Sequence, residues 1–154
     1  MDATLLVTQL SLSKNVTVIG HFPFIPKVKE AASRCWVIEQ DPIPGESSIE
    51  SAKDIIPQSD LVVISGSTLI NHTLEELLAF CRKEATVILI GPSTPLSALL
   101  FEFKIGVLSG IVVEDEKQAL KAISQGAIFR QMQGVKRMVM INPQFRPLLD
   151  GQTS

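Results

Sequence analysis

The sequence predicts an α/β protein, a single Rossmann-like, doubly wound and mostly parallel sheet of about six strands flanked by helices. Three observations predict it. Short unbroken apolar runs rich in β-branched residues, such as Leu61-Val62-Val63-Ile64 and Thr86-Val87-Ile88-Leu89-Ile90, read as strands buried on both faces. Segments with helical apolar spacing alternate with them, as in Leu74, Leu77, Leu78 and Cys81, which share one helix face. Loops rich in Gly, Ser, Thr and Pro punctuate the passage from strand to helix, which is the pattern of right-handed βαβ units.

Taken in order, residues 2–12 form a short helix with Leu5, Leu6, Leu10 and Leu12 as its apolar positions. The first strand is Val16-Thr17-Val18-Ile19-Gly20. In His21-Phe22-Pro23-Phe24-Ile25-Pro26 each proline pushes its predecessor away from the α region, so the next helix runs only from about Pro26 to Ser33. The second strand, Cys35-Trp36-Val37-Ile38-Glu39, ends in the polar turn Gln40-Asp41-Pro42-Ile43-Pro44-Gly45. A short helix near Ser51 to Ile56 leads to the third strand, Leu61 to Ile64.

The loop Ser65-Gly66-Ser67-Thr68-Leu69-Ile70-Asn71 follows, then a helix for which Thr73 and Glu76 make a capping box. After the fourth strand, Thr86 to Ile90, comes Gly91-Pro92-Ser93-Thr94-Pro95-Leu96, with Thr94 placed to cap a short helix near Leu96 to Phe101. The fifth strand spans Val107 to Val113. Its helix opens with Glu114, Asp115 and Glu116 and closes at Gly126, and Arg137 to Ile141 is the sixth strand. This divides the chain into a lead-in (1–15), a Rossmann-like domain (16–141) and an irregular tail (142–154). We expect the strand order 3-2-1-4-5-6, with 2-1-3-4-5 as the alternative.

Composition narrows the function. At 154 residues, with 45% apolar and 19% charged side chains and a net charge of −2, the chain holds a real core and lacks the basic clusters of a nucleic-acid binder. The N-terminus has no basic region before an apolar run and no segment reads as a membrane span, so a cytoplasmic protein is expected. Cys35 and Cys81 are not spaced as a metal knuckle and read as buried thiols.

The carboxyl edge of such a sheet is where ligands bind. Gly20 and Glu39 close the first two strands at about the offset of a glycine and a ribose-binding acid, yet Phe22 and Ile25 stand where a dinucleotide loop has its other glycines. Ordinary NAD or FAD binding is therefore disfavoured. His21 suits metal ligation or proton transfer, or else bonds a backbone carbonyl as a loop histidine. Glu39, and less so Asp41, are the carboxylates of the first half near that edge, and His21 with Glu39 is the candidate pair for a divalent transition metal. Phe22 and Phe24 stack on a planar ligand or pack on a neighbouring helix or subunit. Gly66, Ser67, Thr68 and Asn71, with Gly91, Pro92, Ser93 and Thr94, form a candidate cradle for a small anionic ligand, with helix N-termini adding N–H groups. The segments after the first four strands are expected to meet around one crevice.

Four ordered motifs then carry a family resemblance. Val18-Ile19-Gly20-His21-Phe22-Pro23-Phe24, Glu39-Gln40-Asp41-Pro42, Ser65 to Asn71 with Thr73-Leu74-Glu75, and Gly91-Pro92-Ser93-Thr94-Pro95-Leu96 together resemble the Rossmann-like domain of the heavy-metal-chelation family, long catalogued as a domain of unknown function. The resemblance covers Val16 to Gly126. It implies that an enolase-N-terminal-like domain usually precedes this one, that the cleft between the two is the site, and that the role lies in metal handling or corrinoid synthesis. Here that upstream domain is missing, so the chain is expected to be a free-standing or truncated member, or to meet a partner domain. The leading expectation is a homodimeric domain binding a small molecule or metal complex. A nucleotide- or methyl-donor-dependent enzyme with Glu39 on the ribose, and an interaction module that docks a partner through exposed Phe22 and Phe24, are the alternatives.

Overall fold

The computed structural model describes residues 3–127 and 131–145. Helix α1 (Ala3–Ser11) precedes strand β1 (Asn15–Ile19), α2 (Ile25–Ala31), β2 (Arg34–Glu39) and a two-residue strand β3 (Ser47–Ser48). A 3-10 turn at Ile49–Ser51, α3 (Ala52–Ile55) and another 3-10 turn at Ile56–Gln58 then lead into β4 (Leu61–Ser65). After β4 come α4 (Ser67–Ile70), α5 (Leu74–Phe80), β5 (Thr86–Ile90), a 3-10 helix at Ala98–Phe103, β6 (Val107–Val113), α6 (Glu116–Ser124) and β7 (Val135–Ile141).

The sheet order is β3-β2-β1-β4-β5-β6-β7, parallel throughout except for β7, which runs antiparallel to β6. The third long strand thus lies beside β1, not beyond β2, with Val16 opposite Leu61 and Ile19 opposite Ile64. Among the six strands legible in the sequence the alternative order holds and the preferred one does not. The outer place next to β2 is taken by Ser47 and Ser48, too short and too polar to carry a strand signal. The switch point therefore moves, from between the first and fourth strands of the sequence (β1 and β5), where the preferred order puts it, to the carboxyl ends of β1 and β4.

Two apolar layers explain the uninterrupted strands. Successive side chains point to opposite faces, so Leu61 and Val63 pack with Val7, Val28 and Ile88 under α1 and α2. Val62 and Ile64 pack with Ile56, Leu77 and Leu89 under α3 and α5 on the other side. Each such fully buried side chain stabilises the fold by roughly 1.5–3 kcal/mol. The polar residues in these layers are paired: Ser11 donates to the Val7 carbonyl at 2.7 Å, and the Thr17 and Ser59 hydroxyls lie 2.6 Å apart.

The α5 stripe is as expected, since Leu74, Leu77, Leu78 and Cys81 are all buried. Its capping box is not. Thr73 makes no side-chain cap and donates instead to Asn71 Oδ1 at 2.7 Å, because the short α4 brings Asn71 close. At α6 the expected acidic start is borne out, with Asp115 accepting from the Gln118 N–H at 3.0 Å and Gly126 left-handed at φ +72° past the end. Asn142 to Phe145 form a turn after β7, and the rest of the predicted tail lies outside the described residues. Among the described residues, no helix is long and apolar enough to cross a membrane.

Candidate functional site

The site is built where β1 ends. Gly20 has φ +112°, and its N–H donates to the Ile38 carbonyl at 3.1 Å. A Cβ there would sit 3.0 Å from that of Ser65 and 3.2 Å from the Phe22 ring, so only glycine allows β1, β4 and the loop to meet. The next residue, His21, is held between two carboxylates. Its Nδ1 lies 3.2 Å from Glu39 Oε1, at the end of β2, and its Nε2 lies 2.6 Å from Glu46 Oε1.

Glu46 is the member of this cluster that sequence reasoning missed. It follows Gly45 in an irregular turn, and nothing in its spacing aims it at His21. The fold does so by pairing β3 with β2, which carries the residue just before Ser47 back to the carboxyl edge. Its other oxygen accepts the Ile43 N–H at 3.1 Å. Asp41 is exposed and stays outside the cluster.

Electrostatics follow from this contact set. The hydrogen bond that the His21 Nε2–H donates to Glu46 raises the His21 pKa above its usual value, with partial desolvation opposing and the Glu39 and Glu46 charges adding to the rise. For Glu46, desolvation pushes upward, but the Ile43 N–H and His21 outweigh it and the net pKa is lowered. His21 is therefore an imidazolium over a wider pH range than a free histidine, and the trio carries one net negative charge when all are ionised.

His21 and Glu39 line a polar cavity of about 170 Å3 together with Gly20, Ser67, Thr68 and Asn71. The hydroxyls there are partly committed. The Ser65 and Ser67 hydroxyls lie 2.9 Å apart, Thr68 donates to the Ser65 carbonyl at 2.7 Å, and Asn71 Oδ1 accepts from Thr73. The loop expected between β4 and α5 contains the single turn α4, too short to gather the N–H groups of a longer helix at its start.

The residues expected to share one crevice divide. Phe22, Gly91 and Pro92 line a second, larger cavity of about 380 Å3 on the α1/α2 side, and Gly66, Ser93 and Thr94 line neither. Thr94 does not cap a helix: the next helical residues are the 3-10 turns from Ala98, and the cap position there is Ser97. Instead its side chain is only 4% exposed, packed against Gly66, with an Oγ1 that has no hydrogen-bond partner. Phe22 and Phe24 are not an exposed docking pair. Their rings stack on each other at 4.9 Å, Phe24 is buried in the α1/α2 layer and Phe22 is half-buried against it.

The fit to a metal is partial. His21 Nδ1 and Glu39 Oε1 are a nitrogen and an oxygen donor in reach of one another, suited to a borderline divalent ion. Among the described residues, no three His, Cys, Asp or Glu side chains converge as a closed site. The thiols cannot complete one, because Cys35 packs on the α1/α2 layer and Cys81 on the opposite one. Burial also raises both pKa values, that of Cys81 to about 11, so thiolate is scarce at neutral pH.

Fold and site together define a Rossmann-like domain with a polar histidine–carboxylate cavity at its switch point. The chain belongs to the family described as "Putative heavy-metal chelation", which it matches over residues 2–142. An uncharacterized protein of Methanocaldococcus jannaschii is 28% identical over 138 residues, which is 84% of this chain and 53% of that one. A crystal structure of a protein of unknown function of this family from Desulfitobacterium hafniense superposes with a TM-score of 0.80 at 25% identity, covering 92% of this chain and 58% of that one. One from Pyrococcus horikoshii, also of unknown function, gives 0.79 at 23% identity, covering 92% and 59%. The chain thus spans a little over half the length of these relatives.

Proposed function

We propose that this domain binds a divalent transition-metal ion, or a small complex of one, with His21 Nδ1 and Glu39 as its protein ligands and Glu46 as the group that orients the imidazole. The observation that carries this is the imidazole held at both nitrogens by carboxylates, one in the cavity and the other outside its lining with a side chain only 9% exposed. A ligating histidine needs its second nitrogen anchored, and a carboxylate there fixes the ring and strengthens the donor. The positions that two ligands leave open fall to the complex's own donors, to water, or to a partner domain. The family's description points the same way.

The experiment is a titration of Zn2+, Ni2+ and Co2+ into metal-free protein, followed by calorimetry and by melting temperature. Binding is expected to raise the melting temperature, His21→Ala to abolish the rise, and Glu46→Gln to weaken affinity roughly 10- to 100-fold. Protons compete for Nδ1, so affinity should climb as the pH passes through the raised His21 pKa. No binding of any of the three ions above that pH overturns the proposal.

A second reading rests on Glu39 at the end of β2 and Gly20 in the same cavity, the places where a Rossmann fold meets a ribose. It requires saturable binding of an adenosine-containing compound that is lost in Glu39→Ala.

A further inference from the structure

We infer that the slot between α4, α5 and the 3-10 helix at Ala98–Phe103 is a binding site for a small amine with a single-ring apolar body. The topology explains why a slot is there. Parallel neighbours are usually joined by a crossover α-helix, which covers the sheet face beside them. Residues 91–106, which join the parallel strands β5 and β6, contain a 3-10 helix only, and beside it lies a cavity of about 250 Å3.

The lining selects the ligand class. The floor is buried and apolar, from Leu74 of α5 and Ile105 ahead of β6, and half-buried Leu69 and Leu100 line the sides from α4 and the 3-10 helix. An apolar cavity of roughly 150 Å3 holds benzene, and drug-sized pockets begin near about 300 Å3, so this volume suits one ring with a short tail. The polar selection lies at the rim, where Glu75 and Phe103 are exposed together with His72. A carboxylate attracts an ammonium group, and the π face of a phenylalanine ring attracts it too. The apolar body therefore goes to Leu74 and Ile105, while the ammonium stays at the rim beside Glu75 and Phe103.

The backbone on both sides of the slot is held in a costly shape. His72 at φ +61° and Lys104 at φ +65° are two of the three left-handed non-glycine residues among the described residues. One joins α4 to α5, and the other directly follows Phe103. Such conformations persist where the surrounding structure over-determines them, so the slot is preformed and a ligand need reorder little on entering. This site does not depend on the metal proposal, because His21, Glu39 and Glu46 do not line it.

The probes are phenethylamine, an ammonium ion at neutral pH, and phenethyl alcohol, its uncharged counterpart of the same shape. Each is titrated into the isotope-labelled, metal-free full chain and followed by amide NMR shifts. Expected are saturable shifts centred on residues 68–75 and 100–105. Because the rim is exposed, the amine should bind roughly threefold or more tighter than the alcohol, not orders of magnitude. Glu75→Gln should bring the two probes within about twofold of each other, and Phe103→Ala should weaken the amine roughly threefold or more. Both variants alter exposed side chains and so keep the fold. Leu69→Trp, which fills the slot, should abolish binding of both probes. His21→Ala should leave both unchanged, since a loss there would place the probes in the histidine–carboxylate cavity instead. Shifts that scatter over the surface without saturating, equal affinity for the two probes in the parent chain, or an amine preference that survives Glu75→Gln overturns the inference.

Discussion

The close passage of Gly66 beneath Thr94 sets up a purely steric test. Gly66 has φ −58°, which alanine adopts without strain, so backbone freedom cannot explain a glycine there. A Cβ built on Gly66 falls 2.5 Å from Thr94 Oγ1, 2.7 Å from Thr94 N and 3.0 Å from Ser93 C. Two of these three are backbone atoms, and rotating the threonine does not relieve them. The 91–95 segment must lift off the end of β4, which strains the hydrogen bonds from Gly66 N–H to Ile90 O at 2.9 Å and from Gly91 N–H to Ser109 O at 3.0 Å. Overpacking costs roughly 1–3 kcal/mol and a weakened hydrogen bond about 1 kcal/mol. Gly66→Ala should therefore lose about 2–4 kcal/mol, or roughly 4–16 °C in melting temperature for a chain of this size. Thermal denaturation followed by circular dichroism measures it. A melting temperature within about 1 °C of the parent refutes the close approach and returns Gly66 to the ligand-contact role expected from its motif.

Two further outcomes follow from single side chains. Thr94→Val replaces a buried hydroxyl that has no partner, so chemical denaturation should show stability unchanged or raised by up to about 1 kcal/mol, and a loss beyond that would reveal a missed partner. Titration of His21 by NMR should give a pKa above 6.5 that falls back toward it in Glu46→Gln, whereas an unaltered value in the variant would remove Glu46 as the cause. The sign for stability follows: the His21 contacts contribute fully below the unfolded pKa of 6.5 and fade as pH rises through the higher folded value. Those of Glu46 contribute above its unfolded 4.5 and fade as pH falls through its lowered one. With His21 at 55% side-chain exposure, solvent screening keeps this contribution small, and the titration is the sharper readout.

What the chain settled by itself was everything that depends on near neighbours. Runs of Val, Ile and Leu mark the buried strands, period-3.6 leucines mark α5, and the prolines after His21 delay α2, because periodicity and local backbone sterics act over a few residues. The positions of Gly20, His21 and Glu39 at strand ends were legible for the same reason, since a ligand edge follows from strand direction alone. Capping was less so: Thr73 and Thr94 have the right residue type, but a hydroxyl bonds whichever acceptor the surrounding fold supplies, and for Thr94 it supplies none.

Tertiary structure alone decided the rest. Which strand lies beside β1 depends on how crossovers close over the whole sheet, and a two-residue strand of serines took the place that a longer apolar run was expected to fill. That pairing of β3 with β2 brings Glu46 to His21 across 25 residues, a contact with no local signature. The division of the edge into two cavities has the same origin, because the described residues lining the larger one come from α2, β5, β6 and β7, which meet only in the packed sheet. Side-chain chemistry is written in the chain, but convergence is a property of the packed whole, since it arises from long-range burial and not from spacing.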